Sequence, residues 1–408
     1  MMAATLIFLG TLIFIAHLFS YLFSRKRIPD VLLLIVVGLA IGPLLGWVHP
    51  SDLGQLANVF SSLTLIFILL DSGLGLSIDS LRRYWKGVFQ VTLLSFLFST
   101  AMATAISYFM GFEFSVSLMI GTMVAGTGAS IVVPLLNQMK VSEYTRTVLT
   151  MESAISAVIS FVLALSLMDA YKMGSMAVGS MVGRVLASLL IAALLGVVAG
   201  IVWSSLLDRV RKIENSMFLT PAFVFIVYGL TDFLEFSGAI AVLCFGVVLG
   251  NTDYFKFSFL DKTKKHEMKP LEMNEKGFVK EFVFILKSYY FVYIGISIPF
   301  GNGVALLYGL AITVALFVVR YLLLLVVGRE NSVNDRRVVS LMIPKGLSAA
   351  LLASIPDQIN QAAGRIVIPD AVMIKHVVYA VIFFSIVTTS LMVFLTRKNL
   401  VKNEANVL

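Results

Sequence analysis

The sequence predicts an all-α polytopic membrane protein of about thirteen transmembrane helices, and three observations carry that prediction. Of 408 residues, 59% are hydrophobic and 13% charged, where a soluble domain carries roughly 25% charged residues. Mean hydropathy is +0.96. The apolar residues fall in blocks of about 18 to 25, close to the ~20 that an α-helix needs to cross ~30 Å of hydrocarbon. Basic residues collect in alternate connections between the blocks.

The first block, 2–23, ends at Arg25-Lys26-Arg27. It has no small-residue cleavage pattern and more blocks follow, so it reads as a retained helix rather than a signal peptide. The second, 30–48, opens after Pro29 and closes on Gly38-Leu-Ala-Ile-Gly42-Pro43; the third, 55–74, closes on Gly73 and Gly75. The basic turn of Arg82, Arg83 and Lys86 leads into the fourth, 87–110. The fifth, 114–137, contains Gly126-Thr127-Gly128 and Pro134, and the sixth and seventh, 146–169 and 178–205, end before Lys172 and Arg209. The eighth, 217–234, is followed by a short ninth, 237–250, that hinges on Gly250. A polar segment from Asn251 to Gly277 is expected to be a connecting loop with a surface helix. The tenth, eleventh, twelfth and thirteenth blocks occupy 279–299, 303–327, 338–355 and 371–396. Strand-like alternation is absent from these blocks, which argues against a β-barrel.

With the N-terminus outside and the C-terminus cytoplasmic, all but six of the 31 Lys and Arg fall in cytoplasmic segments. Lys172, Arg184, Arg365 and Lys375 lie outside, while Arg320 and Lys345 lie within spans. That bias predicts the orientation in a cell (inner) membrane. The net charge of +8 is then accounted for by loops facing anionic membrane lipid, and no nucleic-acid partner is implied. The whole chain, 1–408, reads as one transmembrane unit without a soluble domain. No cofactor and no enzymatic activity are expected, because the four His are scattered, Cys244 stands alone, and no zinc or nucleophile motif occurs.

Punctuation of the spans suggests an internal repeat. Gly38 to Gly42 near the end of the second span is echoed by Gly246-Val-Val-Leu-Gly250 in the ninth, and Gly75-Leu-Ser77-Ile78 by Gly295-Ile-Ser297-Ile298-Pro299 in the tenth. Spans seven apart enter the membrane from opposite sides, so the copies form inverted-topology repeats, a design of secondary transporters. Repeat one covers 1–170, a connector helix 171–212, and repeat two 213–396. Helices 5 and 12 then correspond, and both contain breakers, Gly126-Thr127-Gly128 and Pro344-Lys345-Gly346. Proline removes a donor and glycine costs about 1 kcal/mol against alanine in a helix. Two crossed broken helices at bilayer depth mark a substrate site.

An ordered set of short stretches runs through almost the whole chain. They are Ile28-Pro29-Asp30-Val31 leading to Gly42-Pro43, Ile66-Phe67-Ile68-Leu69-Leu70 leading to Gly73-Leu74, the helix 5 break, Met151-Glu152-Ser153-Ala154-Ile155-Ser156, and Pro344-Lys345-Gly346-Leu347. Together they resemble the monovalent cation/proton antiporter superfamily. The resemblance implies a homodimer, a mobile core carrying the broken helices, and elevator-type alternating access that exchanges a monovalent cation for protons. Sodium comes first, with potassium or lithium as alternatives. By the resemblance, Thr127 and Ser156 are the places for the cation, with Ser153 beside them. Glu152 matches the helix 6 glutamate, and Lys345 the basic residue of helix 12 that answers it as a core ion pair.

One departure bears on mechanism: Ala157 occupies the position of the family's ion-binding Asp. A desolvated carboxylate can bind either a proton or a cation, so loading one expels the other. Alanine can hold neither. Either the sequence is altered here and exchange is disabled, or another carboxylate carries the proton, or proton coupling is lost. The first is preferred, because the surrounding residues still form a site built around an acid. A solute or ion symporter of the same architecture and an uncoupled channel-like member stay open beside exchange. Secondary candidates are Asp71, near the inner end of helix 3 within reach of Arg82 or Arg83, and Arg320, placed to cap broken-helix carbonyls or hold a loop.

Overall fold

A computed structural model describes residues 2–26, 30–137, 139, 141–172, 178–255, 268–298, 300–327 and 333–405. Pro29, Pro299, Lys140, Arg329 and the basic residues between 256 and 267 lie outside the described residues. All regular structure among the described residues is helical. The helices are α1 (Met2–Lys26), α2 (Asp30–Leu39), α3 (Pro50–Gly75), α4 (Ile78–Phe109), α5 (Phe114–Ala125), α6 (Ala129–Asn137), α7 (Glu143–Lys172) and α8 (Val178–Val210). They continue as α9 (Leu219–Phe233), α10 (Gly238–Gly250), α11 (Met273–Ser297), α12 (Gly303–Val327), α13 (Val333–Leu341), α14 (Leu347–Ala363) and α15 (Ala371–Ala405). Among the described residues, seven helical stretches are long and apolar enough to cross a membrane, and four shorter ones are apolar.

Each apolar block of the sequence coincides with one helix or with a broken pair, but several helices outrun their blocks. α4 begins at Ile78 rather than 87, α11 at Met273 rather than 279, and α15 runs to Ala405 rather than 396. Hydropathy marks only the part of a helix that suits hydrocarbon; backbone hydrogen bonding continues past it into polar residues. The join inside α4 shows as a kink at Tyr84, φ −116° and ψ 20°. The polar segment 251–277 is likewise not all loop, since α11 takes up its last residues. Ahead of it, Ser204 Oγ donates to Lys269 O at 2.7 Å, and Arg211 donates to Pro270 O and Glu275 at 2.7 Å each, which straps this segment to α8. After α2, residues Ala40–Leu44 form a π-turn around Pro43, the local rearrangement expected where a residue has no N–H to give.

The chain divides into two compact units. Unit one comprises Met1–Asn58, Tyr84–Lys172 and Ser288–Leu408; unit two comprises Val59–Arg83 and Met173–Lys287. The division at Tyr84 falls on the kink in α4. Each unit therefore draws on both proposed repeats.

Unit two packs α8 and α9 against α10. Close approach is possible because Gly196 meets Ala241, Gly200 meets Val248, and Gly246 meets Gly73. Rings fill the remaining volume, with Phe67 stacked on Phe282 at 5.1 Å and Trp203 on Phe223 at 4.4 Å. Asn251 closes the end of α10, donating to Val247 O at 2.9 Å and Leu76 O at 2.7 Å while accepting from Ile78 N at 2.9 Å.

Unit one packs α7, α14 and α15 around α5, with α12 against α15. Here Gly38 faces Val292 and Gly295, and Gly42 faces Ile296. In unit two the same pattern recurs: Gly246 faces Leu70 and Gly73, and Gly250 faces Leu74. Packing thus equates Gly295 with Gly73, two residues from the Gly75 that sequence similarity suggests. Local motif spacing cannot see which turn of a helix carries the close approach.

Candidate functional site

Within unit one, two helices are interrupted and their breaks touch. α5 stops at Ala125, and Gly126 follows in extended conformation, φ −64° and ψ 150°. α13 stops at Leu341, and Gly346, also extended at φ −114° and ψ −161°, leads into α14. Gly128 N donates to Pro344 O at 2.8 Å, which joins the two breaks backbone to backbone. A Cβ on Gly128 would come within 2.6 Å of the Gly346 Cα, and one on Gly346 equally close to the Gly128 Cα. Only glycine at both positions allows this crossing.

Three freed amides and one freed carbonyl are answered by hydroxyls on uninterrupted helices, as buried backbone groups need to be. From α7, Ser160 Oγ accepts from Gly126 N at 3.1 Å and Ser156 Oγ accepts from Thr127 N at 3.2 Å. From α15, Ser385 Oγ accepts from Lys345 N at 3.0 Å, and Thr389 Oγ1 donates to Leu341 O at 3.2 Å. Thr127 Oγ1 and Ser156 Oγ lie 3.4 Å apart, both buried. Ser153 turns back on its own helix, donating to Thr150 O at 2.9 Å. Ala157 is half-buried on α7.

The expected core ion pair between Glu152 and Lys345 is not formed. Glu152 is held instead by Arg320 of α12, whose Nη2 donates to Oε2 at 2.6 Å while Nη1 meets Oε1. Arg320 also donates to Ser95 Oγ at 2.8 Å and, through Nε, to Val339 O at 3.0 Å near the end of α13. The planar guanidinium fork matches both carboxylate oxygens at once, which a lysine cannot do. Both partners are buried, at 3% and 2% exposure. Lys345, 1% exposed, sends its ammonium to Ala125 O at 3.1 Å, onto the carbonyl end of α5 where the helix dipole favours a cation.

Asp71 belongs to unit two, half-buried on α3, and forms no ion pair with Arg82 or Arg83. Lys280 is the basic group within electrostatic reach of it. Sequence reading does not single out Ser160, Ser385 or Thr389. Their signal is the repeated four-residue spacing, 156 to 160 and 385 to 389, on the helix that follows each broken one.

A family model described as sodium/hydrogen exchanger, transmembrane, matches residues 11–398. The ammonium/H(+) antiporter subunit AmhT of Alkalihalophilus pseudofirmus is 25% identical over 304 residues, 73% of this chain and 72% of that protein. Na(+)/H(+) antiporter 1 of Methanocaldococcus jannaschii is 24% identical over 149 residues, 36% of this chain and 35% of that protein. The solved structure of the sodium proton antiporter MjNhaP1 from the same archaeon at pH 8 shares the fold, with a TM-score of 0.76 at 19% identity over 95% of this chain and 99% of that one.

Proposed function

The chain belongs to the sodium/hydrogen exchanger family, and from that premise we propose that it is built to exchange a monovalent cation for protons at the crossing of its broken helices. The observation that carries this reading is the contact of the two breaks at Gly128 and Gly346, with the oxygens of Thr127 and Ser156 buried beside it. Broken helices at depth supply carbonyl and hydroxyl oxygens without a soluble loop, which suits a desolvated cation. Sodium is the first candidate, then potassium or lithium; similarity to AmhT adds ammonium. The transport cycle is elevator-type alternating access in a homodimer, with the N-terminus outside and the C-terminus in the cytoplasm.

Ala157 leaves this crossing without the carboxylate that would bind proton and cation in turn, so exchange by the chain as it stands is disabled. Neutral oxygens only partly offset the lost hydration of an ion at bilayer depth. Reconstituted vesicles should show little cation-dependent proton movement, and Ala157→Asp should restore it. Strong exchange by the unaltered chain, with no gain in the variant, would sink this assignment.

A further inference from the structure

Away from the crossing, α7 is held at its start by an acid from another helix. Asp335 and Val338 of α13 share a face of that helix and are buried, at 5% and 0% exposure, while Arg336 and Arg337 between them are exposed. A carboxylate on the inward face of a helix costs free energy unless it is answered. Asp335 Oδ1 accepts from Ser142 N at 3.1 Å, 193 residues away in sequence. Ser142 immediately precedes α7 and caps it, its Oγ accepting from Thr145 N at 3.2 Å and its O from Arg146 N at 3.0 Å. The carboxylate therefore sits at the N-terminus of α7, where the helix dipole favours an anion. Arg146 Nη2 donates to Met139 O at 3.4 Å, so the residues after α6 are strapped to the same turn.

These two helices each govern one break. α7 carries Ser156 and Ser160, which accept from the amides of Thr127 and Gly126, and α13 runs into Pro344, whose carbonyl accepts from Gly128 N at 2.8 Å. α13 has nine residues, about 13 Å of helix, and a helix that short needs tertiary support to persist. Towards the break, Arg320 donates to Val339 O and Thr389 to Leu341 O; at the first turn, Asp335 ties α13 to Ser142. We propose that Asp335 is a positioning residue for the crossing. By fixing the start of α13 to the start of α7, it sets the register of one helix along the other and so keeps Pro344 O on Gly128 N. The consequence for transport rests on the crossing being the cation site; the register itself does not.

The test is hydrogen–deuterium exchange of the purified full chain in detergent, read at the amides of Gly128 and Lys345 and, as a reference, across α8, α9 and α10 of unit two. Local opening shows as faster exchange at the affected amides alone. Asp335→Ala should speed exchange at Gly128 and Lys345 about tenfold or more and leave the reference helices unchanged. Asp335→Asn keeps an acceptor oxygen in place and should stay within about threefold of the unaltered chain. Ser142→Pro removes the donating N–H and should act like Asp335→Ala, with the two combined doing no more than either alone; Ser142→Ala keeps that N–H and should fall short of the proline effect. At the other end of α7, Tyr171 donates to Glu113 Oε2 at 2.8 Å in an exposed tie, and Tyr171→Phe should leave Gly128 unchanged. Unchanged exchange at Gly128 in Asp335→Ala overturns the proposal, as does an equal rise in the reference helices or an Asn variant as fast as the Ala variant. If Asp335→Ala does not fold, Ser142→Pro no faster at Gly128 than Ser142→Ala overturns it instead. The expected exchange pattern alongside absent cation/proton transport in Ala157→Asp would support the register role and remove the transport reading.

Discussion

At the first break, Ser156 and Ser160 of α7 take the amides of Thr127 and Gly126; at the second, Ser385 of α15 takes the amide of Lys345 while Thr389 closes on Leu341 O. The device is the same, two hydroxyls one helical turn apart on the next uninterrupted helix. What differs is the side chain at the centre, a neutral Thr127 in one and a cationic Lys345 in the other. The comparison separates two jobs that sequence alone runs together. Backbone satisfaction is shared by both breaks, while the side chains at their centres differ in kind.

The largest expected effect tests whether charge at the second break is independent of the neighbouring ion pair. Removing one partner of a buried pair strands the other at about 3–5 kcal/mol, so Arg320→Ala and Glu152→Ala should each lower the melting temperature strongly, with Arg320→Lys a poor substitute. The double variant Glu152→Ala/Arg320→Ala should recover part of the loss. Combining Glu152→Ala with Lys345→Ala should give additive losses; a coupling there as large as that to Arg320 would join the two groups again.

A middle-sized effect tests the contact that makes the breaks a pair. Gly128→Ala or Gly346→Ala would push a methyl to 2.6 Å from the opposite Cα, and overpacking of this kind costs about 1–3 kcal/mol. Gly229→Ala on α9, where a Cβ meets nothing within 4 Å, should instead be neutral or stabilising by up to about 1 kcal/mol. Equal melting temperatures for all three variants would mean the crossing is looser than its geometry.

Smaller still is the loss of one hydroxyl acceptor. Ser156→Ala and Ser385→Ala each leave a buried amide unanswered, at about 1–3 kcal/mol, and the two losses should match. In an Ala157→Asp background, only Ser156→Ala should also weaken the response to sodium, measured as sodium-induced melting shifts. The smallest expected effect is that of sodium on the unaltered chain, close to zero at millimolar concentration. Ala157→Asp should gain stability with sodium, and more so at alkaline pH, where protons no longer compete. A pH-dependent shift of equal size in both would move the ion elsewhere, with Asp71 the next residue to replace.

Much of this architecture is legible from residues alone because its causes are local. Runs of apolar side chains mark the helices, and Gly126-Thr127-Gly128 and Pro344-Lys345-Gly346 mark the breaks, since proline and glycine act on their own turn of backbone. Arg320 is visible as an intramembrane charge, and Lys345 as another, but their partners are not. The expected Glu152–Lys345 pair follows family pattern; the observed Glu152–Arg320 pair follows from α12 passing beside α7, 168 residues apart in sequence. Sequence by itself determined where the chain is apolar, where it breaks, and that position 157 lacks an acid. Only tertiary structure decided which cation meets Glu152, which hydroxyls answer the broken backbone, and that the Lys345 ammonium turns to the carbonyl of Ala125 rather than to an acid. Ion pairs and close glycine contacts depend on the relative placement of distant helices, whereas propensity and hydropathy act within a single turn.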